Sequence, residues 1–149
     1  MLFHFPDIRQ PYSKPETMKT YLFLFLILIS SAFSNKIVKT KSGLQYRILE
    51  KGSGIKAKAG DAVFIYETTS YRNGTILYTN YNSKTPVKVI IGGNQATEAV
   101  DEGLRGMRVG EVRELIAPPY LVKRKSYPDN VSPDSTLVIK MKLDKIVTK

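Results

Sequence analysis

The sequence predicts an α+β domain, a curved antiparallel β-sheet wrapped around one short α-helix. Three observations carry that reading. Several stretches between Leu44 and Ile146 alternate apolar and polar residues at period two, the spacing of half-buried strands. Only after Gln95 does the spacing change, with Ala96, Val100, Leu104 and Met107 recurring at four, four and three residues as one helical stripe of roughly three turns. A lone helix must bury its stripe on something, and a sheet is the large partner at hand. With 149 residues the chain is long enough for one such core.

In chain order, Met1 to Thr17 is a polar, proline-containing lead, followed by Met18-Lys19-Thr20 and the apolar run Tyr21 to Ile29. That run is shorter than the ~20 residues a membrane-crossing helix needs. Lys19 supplies a charged leading end and Ala32-Phe33-Ser34 places small residues where a signal peptidase requires them. Residues 1–34 therefore read as lead and signal peptide, with Met18 as a second candidate start and cleavage before Asn35. Periplasmic or secreted localisation is expected, without stable membrane insertion after cleavage. The alternative is an uncleaved anchor over residues 21–34. No cysteine follows the apolar run, so attachment of a lipid at a lipobox is ruled out.

The domain is expected over residues 35–149. Leu44, Tyr46 and Ile48 alternate with Gln45 and Arg47 as a strand that Gly52 and Gly54 close. Ala62 to Thr69 supplies the next, with Val63, Ile65 and Glu67 on one face and Phe64 and Tyr66 on the other. Asn73-Gly74 marks a hairpin with a type I′ turn, returning as Thr75 to Thr79. Val87, Val89 and Ile91 alternate with Lys88 and Ile90 as a strand with a buried face, stopped by Gly92-Gly93 before the helix. Glu111 to Ala117 reads as a strand, Pro118 to Pro133 as a long loop, and Thr136 to Ile146 as a final strand.

Composition excludes much chemistry. The chain has no cysteine, and its one histidine, His4, lies outside the domain. Disulfides, thiolate nucleophiles, zinc-thiolate sites, a Ser-His-Asp triad and a histidine metal site in the domain are thereby excluded. The net charge of +10 is scattered over strands and loops rather than gathered on one helix face, which favours solubility over a nucleic-acid footprint. Lys123-Arg124-Lys125 reads as a solvated loop tip in preference to an anion site.

The order of signals resembles the FKBP family of peptidyl-prolyl cis-trans isomerases from Thr40 to Val147. Thr40-x-Ser42-Gly43-Leu44-Gln45-Tyr46 and Gly52-x-Gly54 are similar to the opening strand of its secreted bacterial members. Gly60-Asp61-x-Val63, Pro86-x-x-x-Ile90-x-Gly92 and Pro133-x-Ser135-Thr136-Leu137 fit later strands. Glu102-Gly103-Leu104-x-Gly106-Met107-x-x-Gly110-Glu111 is the most distinctive piece. The resemblance implies catalysis of X–Pro rotation on proline-containing segments of unfolded or folding proteins, with no metal and no cofactor.

It also implies a pocket. Tyr66 matches the family's wall tyrosine, and Leu77 and Tyr78 stand where the family has a phenylalanine and an aspartate. Val87 stands for a wall phenylalanine, Ala96 and Thr97 for a valine and an isoleucine, and Val100 for the tryptophan floor. Tyr120 and Val122 fall in the long loop, where Val122 replaces a tyrosine hydroxyl, and Val131 and Ile139 stand for an isoleucine and a phenylalanine. Tyr66, Tyr78 and Thr97, the last through its backbone amide, are the expected catalytic groups. The chemistry needs only a dry cleft and one or two donors, because the barrier of about 20 kcal/mol arises from amide resonance that desolvation and twisting weaken. The implied function is a weak isomerase acting on exported proteins. A non-catalytic, chaperone-like module that binds peptides or another protein through the same cleft or the basic loop Lys123-Arg124-Lys125 is the alternative.

Overall fold

The computed structural model describes residues 36–147, so the signal peptide, the Met18 start and the cleavage site all lie outside the described residues. In order the chain forms β1 (Val38–Lys39), β2 (Gln45–Glu50), β3 (Ser53–Lys56), β4 (Ala62–Tyr71), β5 (Ile76–Thr79), β6 (Val87–Ile90), α1 (Glu98–Leu104), β7 (Arg108–Val109), β8 (Val112–Ala117) and β9 (Leu137–Val147). Seven strands make one antiparallel sheet in the order β1-β2-β8-β9-β4-β5, with β6 also on β4, and β3 pairs separately with β7.

The outer edge of β4 is divided between two short strands. β6 pairs Ala62 to Ile65, β5 pairs Thr68 to Ser70, and neither covers Tyr66 and Glu67. Asn80 spans the interval. Its backbone N–H donates to the Glu67 carbonyl at 3.0 Å, its Oδ1 accepts from the Glu67 N–H at 2.6 Å, and its Nδ2 donates to the Ile65 carbonyl at 3.2 Å. One buried amide side chain thus completes a ladder that would otherwise leave strand groups unpaired.

The core lies between the sheet and α1. Val63 and Ile65 of β4, Leu115 and Ala117 of β8, and Ile139, Met141 and Leu143 of β9 are buried together with Ala99, Val100 and Leu104 of the helix. Gly103 makes the close approach possible: a Cβ there would stand 2.5 Å from Leu115 Cδ1 and 3.0 Å from Met141 Cε. Where the chain leaves the helix, Arg113 of β8 donates to the carbonyls of Gly103 at 2.8 Å and Arg105 at 3.3 Å. The same guanidinium pairs with Glu111 at 2.6 Å and lies 4.5 Å from the centre of the Tyr46 ring.

The helix is shorter than the apolar stripe implies. Thr97 is extended, and its carbonyl accepts the first helical bond, from the Asp101 N–H at 3.0 Å. Gly106, at φ +80°, ends the element and donates to the Ala57 carbonyl at 2.8 Å. Ala96 and Met107 continue the burial pattern from irregular backbone on either side.

The hairpin forms as expected, but with a different turn. Gly74 has φ +90° while Asn73 does not enter the positive-φ region, and the Tyr71 N–H donates to the Thr75 carbonyl. That is a three-residue loop closing on a left-handed glycine, instead of a two-residue type I′ turn. The short strands β1, β3 and β7 were not anticipated, because two to four residues cannot display a period.

Candidate functional site in the cleft beside the helix

A cavity of about 580 Å³ opens where β4, β5 and β6 meet the entry to α1. Its lining divides into three chemical parts. Ile65, Val89 and Val100 are its buried apolar side, at 1%, 5% and 3% exposure, while Tyr78 and Val87, at 47% and 43%, stand at its mouth. Glu67, Thr69, Asn80, Asn94, Gln95 and Thr97 add polar groups, and Lys123, Arg124 and Lys125 line it from the loop that follows β8.

Local structure fixes these groups. The Gln95 Oε1 accepts from the Ile90 N–H at 2.9 Å and the Asp101 Oδ1 from the Gly92 N–H at 3.1 Å, holding the turn between β6 and the helix. The Thr97 hydroxyl oxygen is buried and unpartnered, and among the described residues its backbone N–H also has no acceptor. Two donors of one residue are thus left without a protein partner beside the cavity.

Glu67 is the cleft's carboxylate. Burial pushes its pKa above the ordinary 4.5, opposed by the Thr69 hydroxyl, which donates to Oε1 at 2.6 Å, and by the positive charge of Arg124. The ionised form is therefore disfavoured by folding. The stability associated with the protonated form is complete below 4.5 and is lost as pH rises through the folded-state value. Glu67→Gln keeps an acceptor for Thr69 without the charge, so it is expected to raise the melting temperature at pH 7 and to lose that advantage below about pH 4.5. An equal or lower melting temperature at pH 7 contradicts this account of the burial.

Of the residues selected from sequence, Tyr78, Val87, Ala96, Thr97 and Val100 come together in this cavity. Tyr66 does not. It points to the other face of β4, its ring 5.9 Å from that of Tyr81, because alternation along the strand gives the cleft to Ile65, Glu67 and Thr69. Leu77 packs partly buried against the core. Val122 and Ile139 are core residues at 2% and 1% exposure, and Val131 is a buried residue of the loop before β9. Tyr120 is exposed and donates its hydroxyl to the Ser42 carbonyl at 2.9 Å, away from the cleft. The cleft residues that motif matching missed on β4 were nonetheless signalled by period two, which placed Glu67 with Val63 and Ile65. Asn80 and Asn94 had no such signal, and Lys123 to Lys125, which read as a solvated loop tip, line the cleft.

An antiparallel sheet holding one short helix, with a partly apolar cleft at the helix entry and no cysteine or histidine among the cavity's lining residues, defines a small α+β domain with one open binding cleft. Comparison with known proteins makes this specific. The model of the family described as FKBP-type peptidyl-prolyl cis-trans isomerase matches residues 53–144. FK506-binding protein 2 of Yarrowia lipolytica is 31% identical over 122 residues, covering 80% of this chain and 85% of that one. Peptidyl-prolyl cis-trans isomerase FPR2 of Saccharomyces cerevisiae is 28% identical over 124 residues, covering 82% and 92%. FkpA from Escherichia coli shares the fold at a TM-score of 0.66 and 24% identity, over 87% of this chain and 57% of that chain. The chain belongs to the FKBP-type peptidyl-prolyl cis-trans isomerase family, and its enzymatic class is peptidyl-prolyl isomerase.

Proposed function

We propose that this isomerase acts on X–Pro bonds of proteins folding outside the cytoplasm, reached through the signal peptide of residues 18–34, and that it turns over slowly. The observation that carries the reading is the cleft itself. Ile65, Val89 and Val100 offer a dry seat for a proline ring, and the two unpartnered donors of Thr97 lie beside it. Desolvating the amide weakens the charge-separated resonance form that makes the bond rigid, and a donor to a flanking carbonyl holds the peptide as the bond twists.

The family resemblance pairs a tyrosine on one strand with a carboxylate on the next. In this chain both types line the cleft with the strands exchanged, Glu67 on β4 and Tyr78 on β5. We take Glu67 as the carboxylate beside the bound amide. Slow turnover follows from Val100, which leaves the floor narrower than a tryptophan would, and from the displacement of Tyr120 and Val122 from the cleft.

A protease-coupled assay on a proline tetrapeptide, run beside calorimetric titration of a macrolide inhibitor of the family, tests the proposal. Measurable but weak catalysis is expected, with macrolide binding weakened by several powers of ten. Each lost aromatic wall or carbonyl hydrogen bond costs the large ligand about 1 kcal/mol or more, whereas a small prolyl amide needs only the dry seat. Catalysis absent from folded protein would leave a peptide-binding module, and tight macrolide binding would show a fuller cradle than these residues provide.

A further inference from the structure

We propose that the cleft selects X–Pro segments carrying a carboxylate side chain within two residues of the proline. The inference rests on the isomerase reading and names the substrate class for that same site. Lys123, Arg124 and Lys125 line the main cavity, and Lys123 and Arg124 also line an adjoining hollow of about 400 Å³ with Tyr120, Tyr127 and Pro133. The cations therefore form a ridge shared by two hollows, over which a peptide seated in the cleft continues.

The ridge stands on a fixed base. Leu121 and Val122, immediately before it, are buried at 5% and 2% exposure, and their N–H groups donate to the carbonyls of Pro118 and Pro119. Among the described residues no ion pair engages any of the three cations. Glu67 is the one carboxylate lining the main cavity, and Asp134 the one lining the hollow. Three cations facing one partly buried carboxylate leave the cleft with a net positive field, and a cleft between low-dielectric walls focuses such a field on a bound or approaching peptide. A solvent-exposed ion pair contributes modestly and is screened by salt, so the preference is expected to be moderate and salt-dependent.

The test measures exchange rates by NMR for pentapeptides with glutamate before or after a central proline, beside their glutamine and lysine counterparts, using the full domain. At low salt, kcat/KM for at least one glutamate peptide is expected to exceed that of its glutamine counterpart by about threefold to fivefold, and the lysine peptides to be the slowest. The ratio is expected to fall toward one at about 0.5 M NaCl, where charges are screened beyond a few ångströms. It is also expected to collapse in the Lys123→Gln, Arg124→Gln, Lys125→Gln variant. The salt series needs no variant and so decides the matter even if that protein fails to fold. Equal rates for all peptides would overturn the selectivity while leaving the isomerase reading intact. Acceleration of none would remove both.

Discussion

Replacing Arg113 with methionine is expected to destabilise the domain by about 3–5 kcal/mol, the cost of removing one partner from a buried charge pair. The side chains of Arg113 and Glu111 are exposed by only 6% and 5%, and the guanidinium serves four acceptors or faces at once. Without it, Glu111 keeps a buried charge with no counter-ion, and the carbonyls of Gly103 and Arg105 lose their donor at the end of the helix. Urea unfolding measures the loss. The double variant Glu111→Leu, Arg113→Met is expected to recover much of it, since the charge and its partner leave together. A loss below about 1 kcal/mol for the single variant would mean that the pair is far better hydrated than its burial indicates.

Asn80→Ala is expected to cost about 2–3 kcal/mol and to lower kcat/KM by at least about tenfold. The stability term comes from the Glu67 N–H and the Ile65 carbonyl, which lose their side-chain partners at a position 7% exposed. The kinetic term arises because Asn80 joins the strand bearing Glu67 to the one bearing Tyr78, so its loss frees both sides of the cleft. Asn80→Asp keeps the acceptor for Glu67 and loses only the donor to Ile65, although it sets a second carboxylate near the first. It is expected to fall between wild type and alanine at low pH and to approach alanine as pH rises. Alanine activity equal to wild type in folded protein would show that the cleft does not depend on this bridge.

Long elements with a period were legible in the sequence. Val63, Ile65 and Glu67 share a face in the structure as their alternation required, and the helix stripe correctly brought Val100 and Leu104 inward. Tyr66 fits the family motif by residue type but has the opposite parity on β4 from Ile65, Glu67 and Thr69. A tyrosine at an outward position cannot line the cleft, whereas an acidic residue at the inward one must, even at the cost of desolvation. Asn80 was illegible for another reason. Its role depends on the interval between β5 and β6 along β4, which only the assembled sheet creates. The basic tip likewise gains its place over the cleft from the buried anchors Leu121 and Val122, and nothing in three consecutive cations reports where a loop folds.

The central claim is that X–Pro rotation occurs in the cleft lined by Glu67, Tyr78, Thr97 and Val100. Two-dimensional exchange NMR of a proline peptide with 15N-labelled domain reads the rate and the place in one sample. The account predicts that cis–trans exchange accelerates and that the amides of Glu67, Thr97 and Val100 shift as peptide is added, with Tyr66's neighbours on the outer face unchanged. Folded protein that leaves the exchange rate at its uncatalysed value, or that accelerates it while the shifts gather away from the cleft, would contradict it.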